Sequence, residues 1–201
     1  MITAAVEGLA DEAVVNRLIE DVAGSLGTVY GKRGKSHLVS RLVAYNHAAQ
    51  YSPWLILVDL DTDADCGPSF RFRLLPNPAS LLCFTVVVRA MEAWLLSDRE
   101  HLARFLSVNV ADIPLYPETL DNPKRAMVEI ASRSRRRDIR EDMVPRRGSG
   151  RTVGPAYASR LIEFVSHDRY AWRPDIAAPY SPSLARTIRC IGRLIQRTGE
   201  R

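Results

Sequence analysis

Four short apolar runs, separated by stretches of helical periodicity, shape the first half of the chain. "ITAAV" (2–6) reads as a buried strand that ends at Glu7-Gly8. In the following "DEAVVNRLIEDVAGSL", Val14, Leu18 and Val22 recur at i, i+4 and i+8, which predicts an amphipathic helix opened by Asp11 and Glu12. "GTVYG" is a short strand candidate. "SHLVSRLVAYNHAAQ" predicts a helix capped by Ser36, with Leu38, Leu42 and Tyr45 on one stripe. "PWLILV" (53–58) is the clearest strand. "SLLCFTVVV" (80–88) is another, and "MEAWLLSDREHLARFL" then predicts a helix.

The order is therefore β-α-β-α-β-loop-β-α. Strands alternating with helices imply parallel pairing and a sheet covered on both faces. Continuous apolar strands agree, because a strand buried on both faces need not alternate. The second half reads differently. "DIPLYPETLDNPK" is a proline-punctuated connector, followed by "PKRAMVEIASRSRRR", a Gly/Ser/Arg stretch "VPRRGSGRTVGP", and the helical "AYASRLIEFVSHD" and "SPSLARTIRCIGRLIQR". The expected organisation is an α/β core over 1–105 and a basic, mainly helical C-terminal lobe over 106–201 packed on it.

Composition bounds the function. With 201 residues, 46% of them hydrophobic, the chain can bury a substantial core. No apolar run approaches the roughly 20 residues of a membrane span, so no membrane partner is expected. The N-terminal stretch has no basic n-region or long apolar h-region and does not read as a signal peptide. Cys66, Cys83 and Cys190 are odd in number and scattered, which argues against a disulfide framework or a zinc site and suits a cytoplasmic location. The net charge of +5 permits a polyanionic partner. Arginines crowd 124–160, whereas "DLDTDAD" (59–65) collects carboxylates elsewhere. A nucleic-acid enzyme needs that division, with cations for phosphates and a separate carboxylate nest for a metal.

In an open parallel sheet, ligands gather at the carboxyl ends of the strands. Glu7 ends the first strand and Asp59 the third, and Asp61 two residues on projects to the same side while the chain stays extended. Crowded carboxylates repel unless protonated or bridged by a cation. All-oxygen donors select Mg²⁺ or Mn²⁺ over zinc, and such an ion can lower the pKa of bound water and stabilise charge in a displacement. The alternative is a capping Asp59 with Asp61, Asp63 and Asp65 in a solvated loop. Glu7 at a matching strand end favours the metal.

"AVEGLADEAVVNRLI" followed by "LILVDLDTD" resembles the Toprim (topoisomerase–primase) domain, in which a strand ends in Glu-Gly and a later strand ends in DxD. "VVVRAMEAWLLSDREHLARFL", "IPLYPETLDNPKRAM" and "YSPSLARTIRCI" resemble the bacterial domain-of-unknown-function family 4276, regarded as Toprim-like. The resemblance implies a Rossmannoid sheet, Glu7 as general acid/base or metal ligand, and Asp59 and Asp61 as Mg²⁺ ligands. Related Toprim nucleases accompany ATPases in phage-defence systems. The resemblance thus implies a metal-dependent nuclease acting on DNA or RNA, with an ATPase partner. The competing expectation is a regulatory or nucleic-acid-binding subunit without turnover. A homo-oligomer is compatible with either.

Further candidates each carry two readings. Glu92, in the first turn of a helix past the fourth strand, serves the helix dipole or completes the carboxylate shell. Arg89 pairs with it or with a phosphate. Lys32 and Lys35, in "YGKRGKS", sit in a solvated loop or contact phosphate beside helix-start amides. Lys124 is a helix-start lysine or neutralises transition-state charge. Arg135, Arg136 and Arg137 form a solvated face or bind phosphates. Asp98 reads as a surface residue.

Overall fold

The computed structural model describes residues 1–199, in two compact units. The first comprises Met1–Val88 with Pro182–Arg201, and the second Arg89–Ser181.

The first unit is an α/β layered fold. Its four strands, β1 (Ile2–Val6), β2 (Leu26–Gly31), β3 (Trp54–Asp59) and β4 (Leu82–Val87), form one sheet in the order β2-β1-β3-β4. All neighbours are parallel. The pattern follows from burial: every residue of β4 and the first five of β3 are buried, as expected of strands covered on both faces. Helix α1 (Leu9–Asp21) returns the chain from β1, packs on β1 and β2, and buries Val14, Val15, Leu18 and Ile19.

The stretch expected to be one helix after β2 is two, α2 (Lys35–Ser40) and α3 (Leu42–Ala48), which meet at Arg41. The segment after β3, expected to be a loop, contains α4 (Gly67–Leu74). It buries only Gly67 and Phe70, too few to print a helical stripe on the sequence. Leu38, Leu42 and Phe70 from these helices pack with Ile56 and Val58 of β3 and Phe84 and Val86 of β4, covering one face of the sheet.

The other face receives α11 (Pro182–Gly199), which returns to the sheet after the whole second unit. Thr85 and Thr187 share a buried hydroxyl–hydroxyl bond of 2.7 Å, and the Ser183 hydroxyl accepts from the Val88 amide at 3.3 Å. The expectation of unpaired cysteines is corrected here. Cys83 on β4 and Cys190 on α11, 107 residues apart, form a disulfide, and Cys66 alone is free. Spacing along the chain cannot show this pairing, because the return of α11 creates it.

The second unit is helical: α5 (Met91–Leu96), α6 (Arg99–Leu106), α7 (Pro123–Ser132), α8 (Arg137–Met143), α9 (Tyr157–Ser166) and α10 (Pro174–Ala177), with short 3-10 turns between them. The single helix expected after β4 breaks at Ser97-Asp98. Asp98 is fully buried rather than on the surface. Its carboxylate accepts from the α6 amide of His101 and from the Arg173 guanidinium at 2.7 and 3.0 Å, so an ion pair and a helix cap account for its burial. Trp94 and Trp172 are buried together, with the Trp172 indole N–H donating to the Trp94 carbonyl. Among the described residues no helix is long and apolar enough to cross a membrane.

Gly31 closes β2 at a φ of 90°, and a Cβ there would lie 2.2 Å from the Val6 carbonyl oxygen. Gly31→Ala is therefore expected to destabilise the protein by roughly 1–3 kcal/mol from backbone strain alone, read as a lower melting temperature. Gly34 has a similar φ of 83° but a Cβ there meets nothing within 4 Å, so Gly34→Ala should carry the strain without the clash and lose less.

Candidate functional site at the strand ends

Glu7 is the first residue past β1, and Asp59 is the last residue of the adjacent β3. Backbone pairing between the two strands runs through Ala5 and Ile56. Beyond it the Glu7 side chain takes over, its Oε1 accepting from the Asp59 amide at 2.9 Å. The loop after β2 secures the same corner. The Lys32 amide donates to the Val6 carbonyl and the Gly34 amide to the Glu7 carbonyl, both at 2.9 Å. On the other side of Glu7, Gly8 precedes α1, and its amide donates to the Asp11 carboxylate at 2.7 Å.

Burial raises the Glu7 carboxyl from an ordinary pKa of 4.5 to about 7. The Asp59 amide and the charge of Lys35 hold it lower than burial alone would, while Asp11 and Asp61 push it up. A carboxyl that titrates near neutrality at a strand end can take up or release a proton at working pH.

Asp61 lies in the left-handed region, with φ of 48°. The extended chain assumed from the sequence thus ends at Asp59, and a tight turn brings the next carboxylates round to Lys35. The Lys35 ammonium, at the start of α2, pairs with Asp61 at 2.9 Å and Asp63 at 2.6 Å. It also approaches the Leu60 carbonyl at 3.4 Å. Burial works against its charge, but the bonds to Asp63 and Asp61 outweigh that and raise its pKa. Lys35, from the sequence alone a phosphate contact or loop residue, is thus an internal counter-ion of the acidic turn. The sequence carries one signal for this: the loops after β2 and β3 both leave the same edge of a parallel sheet. Lys32 pairs with Glu12 of α1 at 3.1 Å.

Glu7, Asp59 and Asp61 offer only carboxylate oxygens, a donor set suited to a hard divalent cation. Their chemistry fits Mg²⁺ or Mn²⁺. They are not gathered into a ready cage, since among the described residues no three His, Cys, Asp or Glu side chains are grouped to hold an ion.

The remaining candidates belong to the second unit. Glu92 is buried in α5 and accepts from the Tyr157 hydroxyl at 3.0 Å, with the Lys124 ammonium at 3.7 Å. Burial, then the Glu92 charge, raises the Tyr157 pKa far enough that the phenol stays a donor. Nothing in the sequence pointed to Tyr157, which lies 65 residues from Glu92. Arg89 has no ion-pair partner among the described residues. The run 132–137 spans the last residue of α7, the connection 133–136 and the first residue of α8, and is not one helical face. Within it Arg136 pairs with Asp138 and Arg137 with Glu141, while the exposed Arg135 reaches the Ser107 hydroxyl at 3.4 Å.

No family model, curated protein or solved structure matches this chain.

The raised pKa of Glu7 has a signed consequence for stability. Between pH 4.5 and about 7 the folded protein holds a proton on Glu7 that the unfolded chain has released. Stability contributed by the protonated carboxyl is therefore complete below pH 4.5 and is lost as pH rises to about 7. In melting curves taken without divalent cations, Glu7→Gln should remove that decline. A wild type and variant whose melting temperatures run parallel across this window would show that Glu7 titrates normally.

Proposed function

We propose that the chain is a metal-dependent phosphodiesterase of the Toprim type, acting on DNA or RNA with an ATPase partner. The observation that carries this reading is Glu7: a half-buried carboxyl, its pKa raised to about 7, fixed by the Asp59 amide where two parallel strands end. The sequence resemblance places the same residue, followed by the Asp59 and Asp61 pair, in the Toprim pattern.

Glu7, Asp59 and Asp61 would hold Mg²⁺ or Mn²⁺, which when bound supplies Lewis acidity to a phosphoryl oxygen and lowers the pKa of a bound water. The protein's own contribution is positioning and proton movement. The Asp59 amide keeps one Glu7 oxygen in place, so the carboxyl is aimed without a loss of side-chain freedom during the reaction. Where Asp59 and Asp61 hold the ion and Glu7 is left off it, Glu7 would serve as the base that takes a proton from attacking water. Lys35, joined to Asp61 and Asp63, offsets part of the charge of the acidic turn.

A second reading has its own support. Lys35 already bridges Asp61 and Asp63, so part of the charge of the acidic turn is offset without a metal. A regulatory or nucleic-acid-binding subunit of an ATPase complex could use the fold in that state.

Cleavage assays on single- and double-stranded DNA and RNA with Mg²⁺ or Mn²⁺, with and without the ATPase partner, separate the two. The enzyme reading expects metal-dependent cleavage that Glu7→Gln lowers by about a hundredfold or more. It also expects a metal-induced rise in melting temperature that Asp59→Asn with Asp61→Asn abolishes. A wild type that cleaves nothing with metal, nucleotide and partner present, and does not respond thermally to metal, is the regulatory subunit.

A further inference from the structure

Positive charge is matched by carboxylates in one part of this molecule and unmatched in another. In the second unit Arg125 pairs with Glu129, Arg133 with Asp112, Arg136 with Asp138 and Arg137 with Glu141. Arg160 is held by Asp138, Asp142 and Glu163 together. Half of the ten arginines between 124 and 160 are neutralised internally in this way, whereas Arg135, Arg140, Arg146, Arg147 and Arg151 have no ion-pair partner among the described residues.

In the first unit α4 and α11 contain no carboxylate at all, over Gly67–Leu74 and Pro182–Gly199. They carry Arg71 and Arg73, and Arg186, Arg189, Arg193 and Arg197. The residues Arg186, Arg189 and Arg193 are exposed and recur at i, i+3 and i+7, on one stripe of the helix. That stripe flanks the apolar face through which α11 buries Leu184, Ile191 and Leu194. None of the three has an ion-pair partner among the described residues. Arg197 is anchored instead, its guanidinium donating to the Ser80 carbonyl at 2.7 Å, which fixes the end of the helix.

Arg186 and Arg193 converge with Arg71 of α4 on a groove of about 370 Å³ along the outer edge of β4. The Thr85 hydroxyl on its floor is already committed to Thr187. The guanidiniums are left as the groove's ionic donors.

We propose that this groove, with the bordering Arg186–Arg189–Arg193 stripe, binds the phosphodiester backbone of a nucleic-acid strand. The proposal rests on the reading of the protein as one that acts on nucleic acid, and does not require that it cleave. Planar guanidiniums suit bidentate phosphate recognition. From Arg186 to Arg193 the helix rises about 10 Å, the axial length of about three nucleotides at roughly 3.4 Å each. An acidic peptide added as a strand to the β4 edge is the rival occupant. It is disfavoured because Arg71 Nε already donates to the Phe84 carbonyl at 2.8 Å, removing an acceptor that an added strand would need.

The test is fluorescence anisotropy of a labelled oligothymidylate and a labelled duplex over a salt series, with EDTA present to prevent cleavage. Binding should be indifferent to sequence and weaken steeply with salt. Replacing Arg186, Arg189 and Arg193 together by Ala should lower the slope of log K against log salt by up to about 2 for the single strand. Replacing Arg135, Arg136 and Arg137 by Ala should change it less, since two of those three are paired with carboxylates. The α11 positions are exposed, so the triple variant should melt as the wild type does; if it does not, Arg186→Gln and Arg193→Gln singly should each lower the slope. An unchanged slope in the triple variant, no binding by the wild type, or equal competition by polyglutamate would each overturn the proposal. A wild type that binds through α11 yet never cleaves would remove the phosphodiesterase reading and leave this surface standing.

Discussion

The hydrogen bond from the Asp59 amide to the Glu7 carboxyl is the constraint around which the candidate site is arranged. It extends the junction of β1 and β3 by one link after their backbone pairing stops. The contact holds the carboxyl in its half-buried position, and that partial burial, not the hydrogen bond, is what raises its pKa. The amide favours the charged form while burial favours the neutral one, and the balance falls near neutrality. The loop that ends at Gly34 adds a second restraint by bonding to the Val6 and Glu7 carbonyls, leaving the corner little freedom.

Charge is handled by two different physical strategies. The acidic turn after β3 draws its counter-ion from a loop 26 residues earlier, through Lys35. In the helical unit, some arginines and carboxylates are interleaved closely enough to pair, several of them one helical turn apart. Exposed pairs of that kind add little stability each, but they remove the guanidiniums from easy access by a phosphate. The net charge of +5 therefore says little about where a polyanion would dock. Local absence of carboxylates, as on α4 and α11, says more.

The sheet was legible because continuous apolar runs such as "WLILV" have one economical explanation, and parallel order follows from the helices between them. That the ends of β1 and β3 share an edge was legible for the same reason, but the Glu7 carboxyl meets the Asp59 amide there, and among the described residues the expected carboxylate cluster is not formed. Other features were hidden. Helix α4 buries too little to show a period, and the break at Arg41 leaves no proline or glycine as a marker. Asp98 looked exposed because its partner Arg173 is 75 residues away. The approach of Lys35 to Asp61 depends on a positive φ at Asp61, a backbone choice that aspartate tolerates without announcing. The pairing of Cys83 with Cys190 needs the final helix to come home to the first sheet, and no local pattern encodes that return.

That pairing has a consequence for how the chain comes apart. Every peptide bond of the second unit lies between Cys83 and Cys190. A single protease cut anywhere in Arg89–Ser181 therefore severs the backbone without releasing a fragment, because β4 and α11 stay covalently joined. The nicked molecule would keep its mass, apart from the added water, until a reductant freed the two pieces.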